Sequence, residues 1–466
     1  MTRVVIVGGG PGGYEAALVG SQLGGEVTLI DSDGLGGSAV LTDCVPSKTL
    51  IATAEVMTEV NSSAELGLRF GDGSHQDSSA AGVGVDLAAV NRRVLELAQQ
   101  QSADIVDRVG RENVEVVVGK GRLDGPDRVI ATTGDGERTL DAEMVLVATG
   151  ARPRELPDAR PDGERILTWT QVYGLTRLPD RLIVVGSGVT GAEFASAYHA
   201  LGGEVVLVSS RDRVLPGEDA EAAQVLEDVF ARQGLTVLPK SRAQSVTRHG
   251  DEVTVTLTDG RTVAGSHCLL AVGSVPNTSG IGLTEAGVTL DPGGFIEVDR
   301  VSRTSARGVY AAGDCTGVLM LASVAAMQGR IAMWHTLGDA VSPLDLKTVS
   351  SNVFTAPEIA TVGVTQMQVD SGEVAARAIT LPLRGNARAK MQGNTDGFVK
   401  IFCRVVTGIV VGGVVVAPRA SELIYPLAIA VAQRLTVDQM SGSFTVYPSL
   451  TGSLAEAARR LRRQSD

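Results

Sequence analysis

Residues 34–51 read GLGGSAVLTDCVPSKTLI and hold one thiol, Cys44, between a glycine pair and a Pro-Ser-Lys triplet. A thiolate is a nucleophile and an electron donor, and a dithiol relay needs a second sulfur close by. Five residues before Cys44 stands Ala39. The other cysteines, Cys268, Cys315 and Cys403, form no CxxC or CxxxxC pair and read as small hydrophobic residues in strands or turns. A cysteine-based zinc site is not expected, no metal is, and the usage suits reduced thiols in the cytoplasm. Lys48, four residues after Cys44, supplies a cation to the same segment. Near the C-terminus, FTVYPSLTG offers the phenol of Tyr447, while the last histidine is His335.

The elements that must position these groups announce themselves through glycine. RVVIVGGGPGGYEAALVGSQLGGEVTLID (3–31) reads as strand, turn, helix, strand, with Gly8, Gly10 and Gly13 in G-x-G-x-x-G spacing and Pro11 and Gly12 inside the turn. Such a turn brings the backbone and a helix N-terminus against a pyrophosphate. Asp31 ends the second strand 18 residues after Gly13, placed for a ribose hydroxyl, so this unit suits an unphosphorylated adenosine such as that of FAD. The signature returns 178 residues later as Gly186, Gly188 and Gly191, so two dinucleotides are expected. Its second strand ends Val208, Ser209, Ser210, Arg211, without the acid. An arginine there attracts a 2′-phosphate, so this unit tolerates or prefers NADPH.

Three further strands end in short polar or glycine turns: AEMVLVATGARPRELP (142–157) with Thr149 and Gly150, HCLLAVGSVPN (267–277) with Gly273, and TSARGVYAAGDCTG (304–317) with Gly313 and Asp314. The first two read as crossovers between domains. An aspartate after a strand-end glycine suits a polyol hydroxyl, although a helix N-cap is the competing use. From about residue 346 no nucleotide motif occurs. FVKIFCRVVTGIVVGGVVVAP (398–418) reads as an antiparallel hairpin, and ASELIYPLAIAVAQRL (420–435) as an amphipathic helix. Residues 62–86, rich in Gly, Ser and Asp, read as a surface excursion.

The chain has 466 residues, enough for two to four domains, and its net charge of −12 excludes the basic stripe that nucleic-acid binding needs. Arg459, Arg460, Arg462 and Arg463 form the one basic concentration, at a helix end. No apolar run reaches the ~18 residues of a membrane helix, so no membrane insertion is expected. The N-terminus reads as a strand and turn rather than a signal peptide.

The order of motifs resembles the flavoprotein disulfide reductases, the family that includes dihydrolipoamide dehydrogenase and glutathione reductase. The resemblance rests on both glycine fingerprints and on GGSAVLTDCVPSK, VLVATGARP, VGSVPN, YAAGD and FTAPEIATVG, and it covers nearly the whole chain. It implies an α/β fold with two Rossmann-like domains and an α+β C-terminal domain. The expected division is 1–155 with 276–345 for FAD, 156–275 for NAD(P), and 346–466 for dimerisation. It implies FAD, NADPH or NADH as hydride donor, and a homodimer. The cofactor-binding set then adds Ser38, Lys48, Gly121 and Leu321, Ala322 and Ser323 to the turn residues named above.

Transfer of the catalytic residues fails at two places. The family's redox cysteines are spaced C-x4-C, and Ala39 occupies the first position while Cys44 keeps the second. The family's C-terminal His is Tyr447 here, and the Glu five residues later is Gly452. A tyrosine, with a pKa near 10, is a poor proton donor to a thiol leaving group. Lys48 and its family partner Glu193 are retained, and Val189 replaces an aromatic gate over the flavin. The expected activity is therefore NAD(P)H oxidation through FAD to a small quinone-type acceptor, with Lys48, Glu193, Cys44 and Tyr447 as candidate catalytic residues. A soluble pyridine-nucleotide transhydrogenase, a dihydrolipoamide dehydrogenase-like enzyme and a flavoprotein scaffold or electron-carrier subunit are the alternatives.

Overall fold

The computed structural model describes residues 1–68 and 83–463. Most of the expected surface excursion at 62–86 lies outside the described residues. The chain divides into two compact units, Met1–Thr49 with Asn91–Arg154 and Gly273–Asp345, and Leu50–Val90 with Glu155–Val272 and Leu346–Asp466.

The first unit is built on a five-stranded parallel sheet ordered Val309–Ala311, Met144–Val147, Arg3–Val7, Glu26–Asp31, Glu115–Val118. Val4 to Val7 and Met144 to Val147 are all buried, as expected for strands covered on both faces. The helix Pro11–Gln22 packs along the helix Ala322–Leu337, and Glu15 on the first accepts the Nε–H of Arg330 on the second at 2.9 Å. Sheet strands Arg3–Val7 and Met144–Val147 are the two whose ends carry Gly8 and Thr149.

The second unit holds a parallel sheet of the same layout, ordered Thr236–Leu238, Glu204–Val208, Arg181–Val185, His267–Leu270, Ile166–Thr168. Leu182 pairs with both Val205 and His267, as Val4 pairs with Val27 and Met144 in the first sheet. The same unit contains the expected hairpin, Phe398–Arg404 against Val410–Ala417, at the centre of a five-stranded antiparallel sheet. Val399, Ile401, Cys403 and Val415 pack there with Leu454, Ala458 and Leu461 of the terminal helix Gly452–Arg463.

One expected element is different. Residues 420–435 are not a single amphipathic helix but two short ones, Ala420–Leu423 and Tyr425–Ala432. Pro426 has no N–H to continue the first helix, and the second is apolar all round, with Leu427 and Ala430 buried and Tyr425 and Ile429 exposed. The basic run 459–462 does sit on a helix end. Arg459 and Arg460 both bind Glu456, and Arg462 pairs with Asp438.

Candidate active site

In the first unit the strand Arg3–Val7 delivers the chain to Gly8, where φ is +106°. A Cβ at Gly8 would lie 2.3 Å from the Ala148 carbonyl oxygen, and one at Gly13 only 1.8 Å from that of Gly8. Those contacts are why this turn demands glycine. The following helix starts at Pro11 with Gly10 as its N-cap, and no side chain caps it. Pro11 has no N–H and the Gly13 N–H bonds the Gly10 carbonyl at 2.8 Å, so the Gly12 N–H is the first-turn donor left for a ligand, in the arrangement that receives phosphate.

Asp31 ends the second strand, and its carboxylate is held by three backbone N–H groups: Gly9 at 2.7 Å, and Asp33 and Gly34 at 2.8 Å each. A carboxylate has about four acceptor positions, so these bonds fix its orientation and leave capacity for a hydroxyl. Thr149, after the strand Met144–Val147, has a buried hydroxyl oxygen with no hydrogen-bond partner. Asp314 opens a short 3₁₀ turn after Gly313. Its carboxylate accepts no hydrogen bond from the described residues, and burial, then the charge of Asp43, pushes it up to about 6. A polyol offering hydroxyl protons would satisfy both groups. Gly121 packs on Val7, and Leu321 N-caps the helix that Ala322 and Ser323 begin, both of these exposed. Cys44 opens the helix Cys44–Ser62, Lys48 lies one turn further on, and both are half-buried. Ser38 is exposed on the short helix Gly37–Leu41. No disulfide joins any of the four cysteines, and burial pushes the Cys315 thiol up to about 11.

Two positioning residues lacked a signal that sequence reasoning used. Gln328 is fully buried on the helix Ala322–Leu337, and its Oε1 accepts the Gly313 N–H at 2.8 Å. Asn277 donates from Nδ2 to the Thr149 carbonyl at 3.0 Å, and its N–H bonds the Gly150 carbonyl. A lone buried amide in a helix was the available sign for Gln328. Asn277 needed the 128-residue pairing to be seen.

The second unit repeats the turn. Gly186 has φ +111°, its Cβ would lie 2.1 Å from the Ala271 carbonyl, and that of Gly191 would lie 1.8 Å from the Gly186 carbonyl. The helix Val189–Ala200 is again N-capped by a glycine, Gly188, without side-chain help, and Val189 at its start is 42% exposed. Ser209 turns inward: its hydroxyl is buried against Ser187 Oγ at 2.7 Å and accepts the Arg211 N–H at 3.1 Å. Arg211 itself is exposed, with no ion pair among the described residues. Glu193 is buried on the helix and accepts the N–H of Phe354 at 2.9 Å. Gly273, after the strand His267–Leu270, adopts φ +92° with open space at its Cβ. Tyr447 is 86% exposed, on the segment before the helix Gly452–Arg463.

This architecture has known counterparts. Residues 2–329 match the family described as pyridine nucleotide-disulphide oxidoreductase, and residues 349–458 match the dimerisation domain of that family. A protein of Mycobacterium tuberculosis named NAD(P)H dehydrogenase (quinone) is 57% identical, across 100% of this chain and 95% of that one. A dihydrolipoyl dehydrogenase of Zymomonas mobilis is 32% identical, over 97% and 96% of the two chains. The crystal structure of LpdA from Mycobacterium tuberculosis superposes with a TM-score of 0.93 at 56% identity, covering 99% of this chain and 100% of that one. The flavoprotein disulfide reductase RclA from Escherichia coli shares the fold, with a TM-score of 0.86 at 22% identity over 98% and 99% of the two chains. With two glycine turns of one design, each uncapped helix after a parallel strand, and matches over nearly every residue, the chain belongs to the pyridine nucleotide-disulphide oxidoreductase family.

Proposed function

We propose that this chain is an FAD-dependent NAD(P)H:quinone oxidoreductase that works without a redox disulfide, as a homodimer. The observation that carries the reading is a joint replacement. Position 39 is alanine, and Tyr447 and Gly452 stand where the family has its C-terminal His and Glu, while both nucleotide units are intact. Disulfide chemistry loses a sulfur and a proton donor, and dinucleotide chemistry loses nothing.

The first unit fits FAD on its own observations. The uncapped helix at Pro11 and the close backbone at Gly8 suit the pyrophosphate, Asp31 the adenosine ribose, and the unpartnered Thr149 hydroxyl and raised Asp314 carboxylate the hydroxyl-bearing chain. When bound, FAD supplies two-electron transfer between a nicotinamide and an acceptor. Lys48 and Cys44 open the helix nearest that chemistry in our assignment, with Lys48 providing positive charge. In the second unit Gly186, Gly188 and Gly191 would receive the nicotinamide dinucleotide, and unpaired Arg211 would favour a 2′-phosphate. Overall, NAD(P)H loses a hydride, which is two electrons and one proton. A quinone gains them with a second proton from water, and its two carbonyls become hydroxyls. Tyr447 would donate a hydrogen bond to an acceptor oxygen, from one subunit to the site of the other.

Steady-state turnover with menadione and with lipoamide, using NADPH and NADH in turn, tests this directly. Rapid menadione reduction with negligible lipoamide reduction supports the assignment. Comparable rates with the two acceptors refute it.

A further inference from the structure

Beside Tyr447 lies a cleft of about 640 Å³, lined among others by Arg384, Asn386, Tyr447, Ser453, Glu456 and Arg460. That volume is within the range of small-molecule sites. We infer that this cleft is an anion-selecting acceptor subsite, which takes the sulfonate or carboxylate of an acidic aromatic acceptor. The inference rests on the quinone-reductase reading for its acceptor class.

Charge is the first argument. The lining carries Arg384 and Arg460 against Glu456, so two cations minus one anion leave +1. Glu456 is already neutralised from within its own helix. Arg459 binds it through Nε at 2.7 Å and Arg460 at 2.8 Å, and the two guanidiniums hold its carboxylate down at about 2. Arg384 is exposed and makes no hydrogen bond or ion pair among the described residues. A chain of net charge −12 thus presents a locally positive cleft with an uncommitted guanidinium, the group best shaped for a sulfonate or carboxylate.

The second argument is a hydroxyl with a proton to give. Ser453 is 7% exposed and lines the cleft. Its Oγ accepts from Asn386 Nδ2 at 2.8 Å, and its own O–H has no acceptor among the described residues. Asn386 also donates to the Ser449 carbonyl at 3.0 Å, which sets the geometry of that donor. A donor that faces the cleft without a protein acceptor can exchange water for a ligand oxygen.

Gly452 provides the third argument. A Cβ there would meet only Ser449 Oγ at 3.6 Å and Thr445 Oγ1 at 4.0 Å, which are ordinary contacts. The fold therefore accepts a side chain at 452, and its absence keeps the cleft open and free of a further carboxylate.

The test compares kcat/KM for 1,4-naphthoquinone-2-sulfonate with kcat/KM for neutral menadione, at low salt with saturating NADPH. Arg384→Ala and Gly452→Glu should each lower the sulfonate-to-menadione ratio by about 3- to 10-fold, and Arg384→Lys should retain most of it. Added salt should lower the parent ratio in the same direction. An unchanged ratio in both variants, with menadione still reduced, overturns the inference and leaves the quinone-reductase reading standing. If the parent reduces neither quinone, that reading fails, and calorimetric titration with 2-naphthalenesulfonate decides the cleft. Binding weakened by Arg384→Ala supports the subsite, and no binding removes it.

Discussion

Asp314 gives a quantitative prediction for the flavin site. Its carboxyl is buried, accepts no hydrogen bond from the described residues, and is raised from 3.8 to about 6 by burial and by Asp43. Hydroxyl donors on the hydroxyl-bearing chain of FAD would favour its ionised form and return the pKa toward the ordinary range. Binding then releases a proton at pH values between the two. With a free-protein pKa of about 6, the ionised share is roughly ten-elevenths at pH 7 and one-eleventh at pH 5. FAD affinity should thus weaken about tenfold from pH 7 to pH 5, a change of ~1.4 kcal/mol. The sign for folding is opposite. A raised acid contributes stability to the flavin-free protein that is present below pH ~3.8 and lost as pH rises through about 6. Diluted holoprotein reports the affinity through the fluorescence of released FAD, measured at intervals from pH 5 to 7. Asp314→Asn should flatten the profile, because an amide does not titrate there. A flat wild-type profile, or an equal slope in Asp314→Asn, would refute the reasoning.

Three other outcomes follow from the geometry. Lys400 and Asp219 form an ion pair at 2.8 Å with side chains 1% and 4% exposed, so Lys400→Met should cost about 3–5 kcal/mol and lower the thermal midpoint. Adding Asp219→Asn, which removes the stranded charge and keeps an N-cap acceptor, should recover part of that loss in the same melting experiment. Gly191→Ala places a methyl 1.8 Å from the Gly186 carbonyl and should raise the KM for NADPH at least about tenfold, while the FAD content of the purified protein is kept. Ala39→Cys combined with Tyr447→His should gain at most slight lipoamide turnover, because Gly452 still supplies no carboxylate; robust turnover would show a site preserved for disulfides.

How much of this could be read from residues alone depended on range. The two glycine turns, their buried strands and the hairpin at 398–418 are local patterns, and each is found where its periodicity and spacing placed it. One amphipathic helix over 420–435 does not form, because Tyr425–Ala432 is apolar all round rather than striped and Pro426 lacks the N–H that would continue the helix Ala420–Leu423. Asp31 and Ser209 were identified by position, but the loop bonds that orient them depend on turn geometry that spacing does not encode. Asn277 and Gln328 act on residues brought near by the sheet, and the Arg384 cleft joins segments about sixty positions apart. Such groupings arise from tertiary packing, and no single stretch of sequence carries them.

The central claim is that electrons stop at FAD, with no sulfur pair beyond it. Anaerobic titration of the oxidised holoenzyme with dithionite, followed by flavin absorbance, counts the electrons directly. Complete reduction at two electrons per FAD is the predicted result. Uptake of four would reveal a redox-active disulfide and contradict the account.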